Sequence, residues 1–178
     1  MNGAEILTTI AQLGVAVTGF SGILIAFNRR PGRLSEFEAF RISILFANSL
    51  AAVFLALIPF VLFYSGLPDT VIWRTASALC FVFEVVFIVS HVGPARKFLR
   101  EHRPLFNVGL LGFVTCGHAI NAILQLGNAL ELIKRRNLSI FILGLLWLLF
   151  HSAFQFGRIL FVQPITDGAG SRTRQSDS

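Results

Sequence analysis

The chain has 178 residues, 54% of them hydrophobic and only 13% charged, about half the charged share of a soluble domain (~25%). That balance, with several long apolar runs, excludes a compact soluble domain and points to a multi-span membrane protein. The formal charge is +6, but the basic residues sit in short clusters between apolar runs. No folded basic surface is left for nucleic acid.

The first span is expected over about 6–27, uncharged between Glu5 and Arg29. The N-terminus lacks the basic region of a cleavable signal peptide. Ala11, Gly14, Thr18, Ser21 and Gly22 recur at three- and four-residue steps, a small-residue face suited to close helix packing in a bundle or at a subunit contact. Pro31-Gly32 breaks the chain, and Ser35 with Glu38 has the spacing of a capping box. The second span follows over about 40–64, with Asn48 near its middle and Pro59 expected to kink it. SGLPD reads as a tight turn, with Tyr64 and Trp73 as interface anchors on either side.

The third span, about 71–92, contains Glu84; Ser77, Cys80 and His91 share its face. Gly93-Pro94 is expected to end it, leaving ARKFLREHRP as a basic segment on the membrane surface. The fourth span, about 105–130, is striped. Asn107, Thr115, His118, Asn121, Gln125 and Asn128 fall within an arc of roughly 140° at about 100° per residue, so this face turns to other helices or to water. The fifth, about 138–162, places Gly144, Trp147, His151, Gln155 and Arg158 on one stripe. The tail 164–178 is too poor in apolar residues to fold alone and reads as a flexible cytoplasmic tail after a transmembrane bundle over 1–163.

The fold class expected is therefore all-α, a bundle of five membrane-spanning helices. Eleven of the fifteen basic residues then lie on one side, including Arg29, Arg30, Arg33, Arg96, Lys97, Arg100 and Arg103. Positive charge marks the cytoplasmic face, so the N-terminus is placed outside and the C-terminus inside. Laying the fourth span flat gives the same charge split. The 26 residues from Leu105 to Leu130 decide for a span, since about 20 suffice to cross.

Centring each span brings Thr18, Asn48, Glu84, His118 and His151 to a similar depth. A mid-depth carboxylate costs about 2.5–3.5 kcal/mol even on mild scales and normally faces protein or water. Glu and His with uncharged polar partners are the usual parts of an ion or proton path. Glu84, His118, Asn121, Gln125, Asn128, His151, Gln155 and Asn48 are thus the candidate path residues; the bland alternative is that they fix helix packing. Haem or metal ligation would need His118, His151 and Glu84 or Cys80 to converge, and HxxxH, CxxC and CxxCH spacings are absent. No phosphate loop, GxSxG or triad order is present, so no enzyme, metal or cofactor is expected. Cys80 and Cys116 read as small packing residues.

The first span, LTTIAQLGVAVTGFSGILIAF, resembles the opening helix of a broad group of small uncharacterised bacterial inner-membrane proteins, which carry a similar Gly-Phe-Ser-Gly run followed by basic residues. The resemblance covers about the first thirty residues and implies that membrane setting, not an activity. The function expected is a small homo-oligomeric channel or permeation protein, with the fourth-helix stripe on a wetted path between protomers. Its arginine clusters would attract anions or bind anionic lipid headgroups of the bilayer. The alternatives are a non-conducting anchor or regulatory subunit and, third, a haem- or metal-binding redox protein.

Overall fold

A computed structural model describes residues 3–27, 36–101, 108–133 and 137–161. These form α1 (Ala4–Phe27), α2 (Glu36–Tyr64), α3 (Asp69–Glu101), α4 (Val108–Ala129) and α5 (Asn137–Phe161). The protein is all-α, and each of the five helices is long and apolar enough to cross a membrane. The apolar residues around the outside agree with contact to lipid: Phe20, Phe54, Val89 and Ile123 are all more than 60% exposed. In water such a surface would carry a large hydrophobic penalty.

Successive helices run antiparallel, as the cross-helix contacts show. Thr18 meets Ser49, Glu36 meets Lys97, Ser77 meets Asn128, and Asn128 meets the carbonyl of Asn137. α2 is the central helix, with 56% of its apolar window buried against 22–39% in the others. An apolar core of Leu7, Ala52, Ala56, Ile72, Ala76, Phe141 and Leu145 fills the end of the bundle at which α1 begins. The opposite end carries Arg41, Arg96, Lys97, Arg100 and Arg158.

The helix bounds follow the expected spans within a few residues, except in α3. Gly93-Pro94 does not end that helix, which continues to Glu101. Pro94 removes only one backbone bond, the one its missing N–H would have made to Ser90. Beyond it, Ala95 and Phe98 are buried, and the Phe98 ring lies 5.6 Å from Phe37 and 5.3 Å from Phe40 on α2. Burial of one such aromatic side chain contributes about 1.5–3 kcal/mol, which offsets much of the roughly 3 kcal/mol cost of an interior proline. α2 likewise runs through Pro59.

Trp73 is not an interface anchor. It is only 7% exposed and packs 6.1 Å from Phe141, whereas Tyr64 is 86% exposed. Cys80 is buried in the core, but Cys116 is exposed and packs against nothing inside. At the far end of α4, Glu131 takes a positive φ of 58° and the Leu132 N–H reaches back to the Gly127 carbonyl, a left-handed helix stop usually made by glycine. Arg74 caps it, donating to the Ala129 carbonyl at 3.1 Å and the Glu131 carboxylate at 3.2 Å. The Ser35–Glu38 capping box and the Pro31-Gly32 break include residues outside those described.

The small-residue face of α1 divides in two. Gly14 sits against α2, where an added Cβ would lie 2.6 Å from Val53 Cγ2 and 3.0 Å from the Ser49 carbonyl oxygen. The Thr18 and Ser49 hydroxyls are 2.8 Å apart, and Ser21 is buried on its own Val17 carbonyl. Gly22 has open space where a Cβ would be. Gly14→Leu should therefore lower the folded yield in detergent and the melting temperature, an overpacking cost of about 1–3 kcal/mol or more, while Gly22→Leu should leave both unchanged. Equal behaviour of the two variants in a thermal-melt series would show that α1 does not pack on α2 through Gly14.

Candidate functional site

Four helices each bring a polar side chain into the middle of the bundle. Glu84 comes from α3, His118 and Asn121 from α4, His151 and Gln155 from α5, and Asn48 from α2; none is more than 6% exposed. Their spacing explains the convergence. His118, Asn121, Gln125 and Asn128 follow three- and four-residue steps, as do Gly144, Trp147, His151 and Gln155, so each set forms one stripe and the stripes face each other.

The groups form a continuous chain. Glu84 Oε2 lies 2.5 Å from His118 Nδ1, and His118 Nε2 lies 2.8 Å from His151 Nδ1. Asn121 Nδ2 donates to Glu84 Oε1 at 2.5 Å. Asn48 Nδ2 lies 3.3 Å from His151 Nδ1, and Gln155 Nε2 lies 3.2 Å from His151 Nε2. Phe87 closes over the histidines, 4.5 Å from His118 between ring centroids, and Trp147 stands at 5.7 Å from it on the other side.

One arrangement of donors and acceptors fits the chain, with His151 Nδ1 as an acceptor shared between two donors. Asn48 Nδ2 can only donate, so His151 Nδ1 accepts, and His118 carries a proton on Nε2 that it gives to the same nitrogen. Neutral His151 then bears its proton on Nε2 and needs an acceptor there. The Gln155 amide supplies one when its oxygen, otherwise buried without a partner, is turned toward the ring. A proton shared by Glu84 and His118, as carboxylic acid with imidazole or carboxylate with imidazolium, would leave the pair without net charge. That neutrality lets it sit in an apolar bundle without the full cost of an isolated ion.

From Glu84 an amide column continues toward the end at which α4 stops. Gln125 Nε2 bonds Asn121 Oδ1 at 3.3 Å and the Ile140 carbonyl at 2.8 Å; Asn128 Nδ2 bonds Ser77 Oγ at 2.7 Å and the Asn137 carbonyl at 2.8 Å. Gly144 makes the close approach of α5 possible, because a Cβ there would lie 2.3 Å from Gln125 Nε2 and 2.8 Å from Asn121 Oδ1. Gln125 Oε1, Asn128 Oδ1 and Asn137 Oδ1 are buried acceptors with no protein donor.

Toward the arginine-rich end, the chain meets a cavity of about 70 Å³ whose wall includes His118, His151 and Gln155. Arg41, Arg158 and His91 line its polar part, and Phe40, Phe87, Ile88 and Leu111 its apolar part. No known family pattern matches the chain, and no characterised protein or solved structure is significantly similar to it. The site is therefore read from its own chemistry.

The eight expected path residues all come to lie inside one protomer. The stripe of α4 thus faces α3 and α5. Glu84, His118 and His151 converge but are bonded to one another, and no group of three or more side chains suited to holding a metal ion occurs among the described residues. Of the basic clusters, Arg96 and Arg100 are exposed, Lys97 reaches Glu36 at 3.5 Å, and Arg29, Arg30, Arg33 and Arg103 lie outside the described residues. The basic residues that sequence reasoning missed are Arg41 and Arg158 as parts of the cavity. The signal was present for Arg41: Ile44, Leu45, Asn48 and Ala52 follow it at helical spacing, putting it on the buried face of α2. Ser152 was missed as well; its hydroxyl donates to the Leu45 carbonyl at 2.9 Å and ties α5 to α2.

Removing the carboxyl leaves Asn121 Nδ2 without one of its acceptors and His118 Nδ1 without its partner. Glu84→Leu should therefore destabilise the fold by about 2–5 kcal/mol, and Glu84→Gln by less, because the amide oxygen still accepts. Gly144→Ala should cost about 1–3 kcal/mol by overpacking. Equilibrium unfolding in mixed micelles measures all three, and a Glu84→Leu protein as stable as the native one would remove the network from the fold's support.

Proposed function

We propose that the protein is a small permeation protein for protons, with a path that runs through the bundle from the arginine-lined cavity to Glu84. From there it continues through water held by the unpartnered amide oxygens of Gln125, Asn128 and Asn137, since an amide does not itself relay a proton. The observation that carries this reading is the contact of His118 and His151 with the cavity wall at one end of an unbroken hydrogen-bonded chain to Glu84. Protons move along such a chain by exchange of donor and acceptor roles. A hydrated ion has no comparable route, since beyond the histidines the side chains are in direct contact. The buried, unpartnered acceptors at Gln125, Asn128 and Asn137 extend the polar line on the far side of Glu84.

In this reading the arginine-rich end faces the cytoplasm, the N-terminus is outside, and the setting is the bacterial inner membrane that the first-helix resemblance implies. Assembly into a homo-oligomer is not needed to build the path. The second reading is a non-conducting anchor or regulatory subunit, and the neutrality of the Glu84–His118 pair favours it: a network of this kind also serves simply to lock four helices in register.

Proton flux into liposomes containing a pH-sensitive dye, driven by a potassium diffusion potential, separates the two. Native protein should carry protons faster than empty liposomes, and Glu84→Gln should lower that rate by about tenfold or more while remaining folded. Native liposomes no faster than empty ones would leave the network as a packing device. Topology is tested separately: reporter fusions at Asp69 should read external and those at Arg100 cytoplasmic, and the reverse pattern would invert the direction of entry.

A further inference from the structure

The cavity has a second chemistry that the proton path does not use. Arg41 is 92% buried, yet its Nε and Nη2 have no hydrogen-bond partner. Among the described residues it forms no ion pair, nor does Arg158, the second arginine of the same wall. Arg158 is close enough for the two positive charges to act on each other, and Glu38, one turn before Arg41, is the acid whose field reaches it. Each guanidinium stands near a ring, Arg41 at 5.7 Å from Phe37 and Arg158 at 6.0 Å from Phe154. These rings fix the direction of the charged groups but offer no acceptor. Two arginines held together at the edge of an apolar bundle, one with unmet donors, are a costly arrangement without an anion.

The rest of the wall selects what kind of anion fits. Ile44, Val92, Leu110 and Val114 are aliphatic, and Phe40 and Phe87 are aromatic. The cavity, about 70 Å³ and partly open, is about half the ~150 Å³ of an apolar cavity that takes up benzene. It has room for a headgroup and the first carbons of a chain, not for a whole lipid. We propose that this cavity binds an anionic headgroup, a carboxylate or phosphate, carried on an alkyl chain, with Arg41 and Arg158 as the headgroup ligands. Guanidinium suits both headgroups because its fork of donors matches two oxygens at once. Such a ligand could be a free acyl-chain anion or a phospholipid of the bilayer. The chemistry recognised is the same in both.

The test is equilibrium binding of radiolabelled dodecyl phosphate to the full chain in phosphatidylcholine nanodiscs. Binding above that of empty discs is expected, with a loss of about tenfold or more in Arg41→Gln and in Arg158→Gln, and no change in Arg74→Gln at the other end of the bundle. Dodecanol, which has the chain without the charge, should bind no better than to empty discs. Arg158 is less buried than Arg41, so its variant keeps the test open if Arg41→Gln fails to fold. Discs containing phosphatidylglycerol distinguish the sources: competition means that a bilayer lipid occupies the site, and its absence means that a free amphiphile does. Glu84→Gln should bind normally, so loss of proton flux and loss of ligand are separate results. Unchanged affinity in both arginine variants, or dodecanol bound as tightly as the phosphate, would overturn the assignment.

Discussion

The bundle depends on one contact, the Glu84 carboxyl against the His118 imidazole, in a region where neither group has access to bulk water. An isolated carboxylate there would cost several kcal/mol. The imidazole occupies one carboxyl oxygen, where a shared proton would remove the net charge, and Asn121 occupies the other. Once Glu84 and His118 must meet, the register of α3 against α4 is set. His151 must then face His118, which sets α5, and Asn48 must face His151, which sets α2. Apolar packing alone would specify these registers less sharply, because side chains of similar volume can exchange places along a lipid-facing helix. α1 is held differently, through the Gly14 contact and the Thr18–Ser49 hydroxyl pair.

The bundle is divided along its length. An apolar plug fills the end where α1 begins, the titratable chain lies at mid-depth, and the cavity opens toward the arginine-rich end. Only the α4 side of the plug is polar, through Gln125, Asn128 and Ser77. In the proposed reading, transfer across the whole membrane uses that column. Exchange with the arginine-rich end needs only the histidines, so the two halves of the proposed path are chemically unequal.

Much of this was legible in the sequence, because length and polarity are one-dimensional properties. Five apolar runs gave five helices, and the three- and four-residue steps of His118, Asn121, Gln125 and Asn128 gave one polar face. The direction of that face was not legible. A polar stripe toward water and one toward a partner helix look alike until the partner's own polar groups are placed, and only the meeting with Glu84 and Gly144 decides it. Pro94 misled for a related reason: its local penalty is visible in the sequence, but the burial of Phe98 that compensates for it is a tertiary fact. Trp73 at a helix start reads as an interface residue unless Phe141, far along the chain, is known to lie beside it.

The central position of α2 has a consequence for synthesis. Two of its polar contacts are made by the last helix: His151 beside Asn48, and Ser152 on the Leu45 carbonyl. While the ribosome is still making α5, a nascent bundle of four helices holds Asn48, His118 and Gln125 without their final partners, and these groups must find lipid headgroups, water or one another. At that stage Glu84 already has its α4 partners, and the groups left open are those that face α5. Chains released at that stage would carry exposed intramembrane amides and imidazole, the kind of feature by which membrane proteases and insertases tell an unfinished helix bundle from a completed one.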